Sequence, residues 1–92
     1  MEDRLLYKIY IKGRVQGVGF RWSAVREAKS RDITGFVKNL SDGSVYIEAE
    51  GSKNNLLSYL NWCKMGPDFG FVESVKAEIF SPVNYKEFMI KY

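Results

Sequence analysis

The chain changes pattern at Gly13-Arg14-Val15-Gln16-Gly17-Val18-Gly19-Phe20-Arg21, where an alternating apolar run gives way to helical spacing. Three glycines within seven positions remove Cβ atoms where the main chain bends, so successive N–H groups can point to one side. Arg21 follows in the predicted first helical turn, and a planar guanidinium can bind two phosphate oxygens at once. Two interpretations are open: a loop whose amides bind an anion such as phosphate, or a simple strand-to-helix connection with Arg21 as a surface cation.

The glycine spacing differs from that of two common nucleotide-binding loops. It is G-x-x-x-G-x-G, whereas the dinucleotide fingerprint is G-x-G-x-x-G. The Gly-Lys-Ser/Thr ending of the P-loop is also missing from the stretch. The sequence therefore argues against ordinary nucleotide chemistry.

Composition predicts one small domain over residues 1–92. The 92 residues are 46% hydrophobic and 15% aromatic, which is enough for one core but leaves no room for a second. The net charge of +3 is too small to indicate nucleic-acid binding by itself. Cys63 is the only cysteine, so no intramolecular disulfide can form and a reducing, cytoplasmic location is expected. The sequence shows no secretion signal or membrane span.

Periodicity on both sides of the glycine stretch predicts five strands and two helices. Alternation predicts a strand from Leu5 that stops at Gly13, and the spacing of Phe20, Ala24 and Ala28 predicts a helix over 20–31. The other predicted strands cover 33–40, 44–51, 72–80 and 87–92. In the strand over 72–80, Val75, Ala77 and Ile79 are predicted to face inward. Ser52 is predicted to cap a second helix, which ends at Met65-Gly66-Pro67. The order predicts an α+β, ferredoxin-like βαββαβ sandwich with a short extra C-terminal strand and two helices on one face of an antiparallel sheet.

This topology brings Asn39 to the edge of the sheet that carries the glycine loop. A strand, a crossover helix and a parallel strand place both carboxyl ends at one edge. With one strand between them, the separation is on the order of 10 Å at ~4.8 Å per strand. Asn39 shares its face with Val37 and so faces the helices if Val37 does. Asn39 and Arg21 can then bind one ligand, although a hydrogen bond from Asn39 to the adjoining turn is a competing interpretation.

Two segments resemble the signature motifs of the acylphosphatases: the glycine stretch, and Gly35-Phe36-Val37-Lys38-Asn39-Leu40-Ser41-Asp42-Gly43-Ser44-Val45. Further landmarks at Gly51, Gly66-Pro67, Val72, Val75 and Phe88-Met89-Ile90-Lys91-Tyr92 extend the resemblance over nearly the whole chain. It implies a small hydrolase without metal or cofactor that splits acyl phosphates into carboxylate and inorganic phosphate.

The resemblance also implies roles for individual residues. Arg21 binds the phosphate, and Asn39 positions the attacking water. The loop amides that share the phosphate are those of Val15, Gln16, Gly17, Val18, Gly19 and Phe20. The chain departs from the family at Arg31-Asp32, where an apolar residue and glycine are usual, and at Gly70, where alanine is common.

The side chains that are present also favour a reaction without a histidine base or a cysteine nucleophile. The chain has no histidine, so imidazole cannot act as base, phosphoryl carrier or metal ligand. Cys63 is expected in the core rather than as a nucleophile. A carboxylate leaving group, with a conjugate-acid pKa near ~4, needs no general acid at neutral pH. We therefore hypothesise that the bound phosphate itself takes the proton of the attacking water.

The sequence also predicts the placement of four aromatic residues and of Asp42 with Gly43. Trp22 and Trp62 are predicted to pack in the core, and Asp42 with Gly43 to form a hairpin turn. Phe69 and Phe71 either shelter an acyl group or anchor their own loop.

Two other functions remain as alternatives. An RNA-binding module is suggested by the fold order and by outward Tyr10 and Tyr46, but Glu48 and Glu50 share that face, so Lys–Glu pairs on a solvated surface are expected instead. A noncatalytic acylphosphatase-like domain of a larger enzyme is the second, although the length favours a free-standing protein. We expect a monomer that binds neither nucleic acid nor membrane, and nothing in the loop identifies the acyl group.

Overall fold

The computed structural model describes residues 3–68 and 70–92 and has the predicted ferredoxin-like order of elements. The elements are β1 (Arg4–Arg14), α1 (Phe20–Lys29), β2 (Thr34–Asn39), β3 (Val45–Ser52), α2 (Lys53–Met65), β4 (Phe71–Phe80) and β5 (Phe88–Lys91). The strands pair in the order β4-β1-β3-β2-β5. β1 and β2 are thus parallel, with β3 antiparallel between them. β5 pairs in parallel with β2, so the sheet is mixed where an antiparallel sheet was predicted.

The core lies between the two helices and one face of the sheet. Fully buried Ile9, Val37 and Ile47 project from the three central strands toward buried side chains of both helices. Cys63 is one of these helical core residues, as predicted, and burial raises the pKa of its thiol. The Tyr59 hydroxyl donates a 3.0 Å hydrogen bond to a backbone oxygen of α1 and so joins the helices. No helix among the described residues is long and apolar enough to cross a membrane.

Local hydrogen bonds set the end of α1 and the start of α2. α1 stops at Lys29, two residues before the predicted end, because Asp32 takes a left-handed backbone with φ of 54°. The Ile33 N–H then donates to the Ala28 carbonyl at 3.0 Å, and the Asp32 N–H donates to that of Lys29 at 3.3 Å. This pattern is a Schellman motif, with aspartate where glycine is usual. α2 begins as predicted, with Ser52 Oγ accepting a hydrogen bond from the Asn55 N–H.

The edge strand β4 is less buried than predicted. Val75, Ala77 and Ile79 do pair with β1 residues whose side chains face the helices. Val75 is half-buried against the core, but Ala77 is exposed and Ile79 is 63% exposed. The prediction of inward burial is therefore wrong for Ala77 and Ile79, because a strand at the edge of a sheet has neighbours on one side only.

The face of the sheet opposite the helices is not a solvated surface of Lys–Glu pairs. Glu48 accepts hydrogen bonds from the hydroxyls of Tyr46 and Tyr85. Glu50 is fully buried, and its carboxylate accepts hydrogen bonds from the Val83 and Asn84 N–H groups at 3.0 and 2.9 Å. In the parts of the chain that the structure describes, every ion pair uses an arginine, including one between Arg4 and Glu50. The expectation of Lys–Glu pairs is wrong because the 81–87 segment covers these carboxylates and supplies donors to both of them.

Candidate active site

The glycine stretch connects β1 to α1, and its glycines adopt backbone conformations with positive φ. Gly17 and Gly19 have left-handed φ values of 75° and 78°, and a Cβ added at either would meet no atom within 4 Å. Gly13, with φ of 137°, lies at an irregularity in the pairing of β1 with β4. The side chain of Val15 is buried in the core and so anchors the loop to the rest of the domain. The backbone is thus held in a conformation that few side chains would allow.

The N-terminus of α1 provides backbone donors without a capping side chain. The first helical hydrogen bond runs from the Ser23 N–H to the Gly19 carbonyl at 3.0 Å. Gly19 is the N-cap residue and has no side chain, and the first turn contains no acidic residue. The amides of the first turn and the positive end of the helix dipole can therefore act on an anion placed before the helix.

A cavity of about 110 Å³ lies at this helix N-terminus. It brings together six of the eight residues predicted for the site, with Trp22 as an addition. The side chains of the other two point elsewhere: Val18 packs against the core, and Gln16 contacts the β2–β3 hairpin. The lining residues are Val15, Gly17, Gly19, Phe20, Arg21, Trp22 and Asn39. A larger surface depression contains Asp42 and Glu73, whose carboxylates would repel a phosphate.

Asn39 lines the cavity and carries an unsatisfied acceptor. It lies at the end of β2, on the same face as fully buried Val37, as the alternation predicted. Its side-chain Oδ1 is buried and accepts no hydrogen bond from any described residue. A buried polar atom without a partner costs about 1 to 3 kcal/mol, so this oxygen favours a ligand or water that donates to it.

The adjoining turn is stabilised without Asn39. Asp42 accepts hydrogen bonds from both the hydroxyl and the backbone N–H of Ser44. These bonds lower the pKa of the Asp42 carboxyl. Asp42 is therefore a hairpin residue, as predicted.

The side chain of Gln16 ties the loop to the β2–β3 hairpin. Its Nε2 donates hydrogen bonds to the backbone carbonyls of Leu40 at 2.7 Å and Ser44 at 2.8 Å. From the sequence, only the backbone amide of Gln16 is expected at the site. Its polar side chain within a glycine loop was the available signal, but the partners are backbone atoms that no sequence pattern identifies.

The guanidinium of Arg21 has no carboxylate partner among the described residues and can therefore bind an anion. It is half-buried in the first turn of α1 and forms no ion pair with a described residue. Its guanidinium carbon lies 5.1 Å from the ring centroid of Tyr92, a cation–π distance. The C-terminal residue therefore contacts the arginine without neutralising it.

The two tryptophans differ in their surroundings. Trp62 packs as predicted, with its ring centroid 5.3 Å from that of Phe20 and 5.9 Å from that of Tyr59. Trp22 is 76% exposed, so its predicted packing role is wrong. It follows Arg21 in the first helical turn, where the backbone directs its side chain to the mouth of the cavity rather than to the core. Phe71 is 58% exposed at the start of β4, and Phe69 lies outside the described residues.

Carboxylate, thiol and imidazole groups do not gather into a metal site in residues 3–68 and 70–92. No group of three or more such side chains is close enough there to hold a metal ion. The positive charge at the cavity comes instead from a guanidinium and backbone N–H groups.

Comparisons with known proteins match almost the whole chain to one family. A family model described as acylphosphatase matches residues 7–90. An acylphosphatase of Thermotoga petrophila is 47% identical over 92% of this chain and 94% of that protein. One from Archaeoglobus fulgidus is 42% identical over 92% of this chain and 96% of that protein. The crystal structure of acylphosphatase from Bacillus subtilis, 42% identical, superposes with a TM-score of 0.94 over 96% of this chain and 99% of that chain.

Proposed function

Because the chain belongs to the acylphosphatase family and is a hydrolase of acyl phosphates, we propose that the cavity at the start of α1 is its active site. The observation that carries this proposal is the shared cavity: it is lined by Arg21, the glycine loop and Asn39, and the Oδ1 of Asn39 has no hydrogen-bond partner among the described residues. The substrate loses its phosphoryl group to water and leaves as a carboxylate.

The phosphate is bound by the backbone amides of residues 15–20 and by Arg21. The cavity lies at a helix N-terminus without a capping side chain, where amides and the helix dipole favour an anion. Arg21 adds a formal charge and can donate two parallel hydrogen bonds to phosphate oxygens. One preorganised donor aimed at developing charge contributes about 3 to 4 kcal/mol to a transition state, or ~10² to 10³ in rate. The arginine and the amides therefore supply the electrostatic part of catalysis without a metal or cofactor.

Asn39 positions the attacking water. Its Oδ1 accepts a hydrogen bond from that water, which satisfies the buried acceptor. The water oxygen forms a bond to phosphorus as the bond from phosphorus to the acyl oxygen breaks, and the electron pair of that bond goes to the carboxylate. The water proton passes to a phosphate oxygen, because the chain has no histidine and Cys63 is buried in the core.

The test is hydrolysis of acetyl phosphate by the purified protein in excess chelator. Arg21→Ala is expected to weaken inhibition by inorganic phosphate and to lower kcat. Asn39→Ala is expected to lower kcat about 100-fold, comparable to the loss of one positioned group, while phosphate inhibition changes less than about twofold. The controls are Arg26→Ala and Asn54→Ala, which change exposed residues outside the cavity.

Three results would contradict the assignment. Activity that appears only when metal is added would exclude the metal-free mechanism. Much weaker phosphate binding in Asn39→Ala would exclude the water-positioning role. A folded wild-type protein that binds phosphate but hydrolyses no acyl phosphate would favour the noncatalytic alternative.

We also propose that residues 1–92 form one domain, and that the enzyme is a cytoplasmic monomer that binds no nucleic acid. The single buried thiol of Cys63 suits a reducing compartment. On the outer sheet face, the 81–87 segment contacts Glu48 and Glu50 and so covers part of the surface on which an RNA-binding module with this order of elements would stack bases. Sedimentation measures the oligomeric state, and an RNA titration at two salt concentrations tests the absence of nucleic-acid binding.

A further inference from the structure

Trp22 is a large aromatic residue exposed at the mouth of the cavity. Tryptophan is highly buried on average, yet 76% of this residue is open to solvent. Eight other large hydrophobic residues in the described parts of the chain are exposed, but Trp22 alone among them lines the cavity. Its exposure therefore coincides with the site rather than with a general surface property.

The cavity is small and partly open to solvent. Its volume is about 110 Å³, and Gly17, Gly19 and Trp22 of its lining are exposed. When the loop amides and Arg21 bind the phosphate, the acyl part bonded to it extends toward these exposed lining residues, of which Trp22 has the only large side chain.

The direction of the reaction also points the acyl group away from Asn39. In a phosphoryl transfer the attacking and leaving oxygens lie roughly in line on either side of phosphorus. Asn39 comes from the end of β2, whereas Trp22 comes from the first turn of α1, so different elements bring the two residues to the cavity. A leaving group opposite the Asn39 water has the α1 wall available to it.

We infer that Trp22 contacts the acyl group and makes this enzyme prefer acyl phosphates with an aromatic or extended apolar acyl part over those with a small one. This inference rests on the proposed function of the same cavity. The indole face supplies apolar contact and can stack on an aromatic ring, whereas an acetyl group is too short to cover it. The cavity lining contains no carboxylate, so nothing there opposes a substrate anion.

The experiment compares kcat/KM for benzoyl phosphate and acetyl phosphate in the wild type and three variants. We expect Trp22→Ala to lower kcat/KM for benzoyl phosphate about 3- to 10-fold, the usual effect of an aromatic pair. The value for acetyl phosphate and the inhibition constant of inorganic phosphate change less than about twofold. Trp22→Phe keeps most of the preference, because it retains an aromatic face. Met65→Ala, which removes an equally exposed apolar side chain outside the cavity, leaves the ratio unchanged.

Equal losses for both substrates in Trp22→Ala, or no loss for either, would overturn the inference. Because Trp22 is exposed, thermal unfolding of Trp22→Ala is expected near that of the wild type, which excludes misfolding as the cause of a loss. Failure of the proposed function is a different result: the wild type would then turn over neither substrate.

Discussion

The side-chain amide of Gln16 donates a 2.7 Å hydrogen bond to the carbonyl of Leu40, the residue that follows Asn39. The bond joins the glycine loop, which carries the proposed phosphate amides, to the strand end that carries the proposed water-positioning side chain. The loop and β2 are separated in the sheet by β3, so sheet pairing alone does not connect them. Gln16 therefore sets the spacing between the two halves of the site.

Replacement of Gln16 by alanine is expected to reduce kcat more than it reduces stability. The two carbonyls it contacts keep other partners, since the Leu40 carbonyl also accepts from the Gly43 N–H and the Ser44 carbonyl from the Leu40 N–H. The stability loss is therefore about 1 kcal/mol, the value of an ordinary hydrogen bond. We expect kcat for acetyl phosphate to fall about 10-fold, because small displacements of positioned groups are costly. Denaturant unfolding and steady-state kinetics measure the two effects, and a Gln16→Ala enzyme with normal kcat would contradict the spacing role.

Tyr92 is expected to hold the guanidinium of Arg21 in place through its ring. Tyr92→Ala removes the cation–π contact, which at an exposed site is worth about 0.5 to 1 kcal/mol, and inhibition by inorganic phosphate weakens about 2- to 5-fold. Tyr92→Phe keeps the ring and should keep wild-type phosphate inhibition. If the phenylalanine and alanine variants weaken inhibition equally, the ring contact is not the cause.

Gly35 is expected to tolerate no side chain. Its φ is 139°, and an added Cβ would lie 1.8 Å from the backbone oxygen of Glu48 in the adjacent strand. Gly35→Ala must therefore push β2 away from β3 and should lose more than about 3 kcal/mol of unfolding free energy. Gly17→Ala is the matched control, because its Cβ meets no atom within 4 Å and only the left-handed backbone costs about 1 to 2 kcal/mol. Equal losses measured by urea unfolding would show that the close strand contact is not decisive.

The sequence predicts the elements and the meeting of Arg21 with Asn39 because both depend on local periodicity and on chain topology. Alternation assigns the strands, and the parallel relation of β1 and β2 follows from the helix between them. Once Val37 is known to face the helices, Asn39 must do so as well. These inferences need no knowledge of side-chain packing.

Contacts between distant segments could not be predicted from the same patterns. Glu50 accepts hydrogen bonds from backbone N–H groups of the segment before β5. The alternation that predicts strands does not indicate that this segment crosses the outer face of the sheet. The exposure of Trp22, by contrast, agrees with the helical pattern: two positions after Phe20, it lies about 200° around the helix from the buried stripe of Phe20, Ala24 and Ala28. The packing prediction relied on its apolar character alone. The parallel pairing of β5 with β2 likewise depends on the path of the chain after β4.

Stability at alkaline pH is expected to depend on Tyr85. Burial, together with the hydrogen bond to Glu48, raises the pKa of Tyr85 to about 12. In the unfolded chain a tyrosine titrates near ~10, so between these values the folded protein binds more protons than the unfolded one. The contribution of Tyr85 is therefore complete below about pH 10 and is lost as the pH rises toward 12. The pKa of Tyr46 is raised in the same direction, by burial first and then by its own bond to Glu48.

Tyr85→Phe removes one of these titrating groups and its bond to Glu48. We expect the variant to be less stable than the wild type at neutral pH, but to lose less further stability between about pH 10 and 12, so the two curves converge. Urea unfolding at a series of pH values measures both curves, and lysine deprotonation affects the two proteins alike. Tyr10→Phe, on the same face and outside this hydrogen-bond pair, is the control. Parallel curves for the wild type and Tyr85→Phe would show that the Tyr85 hydroxyl titrates as it does in the unfolded chain.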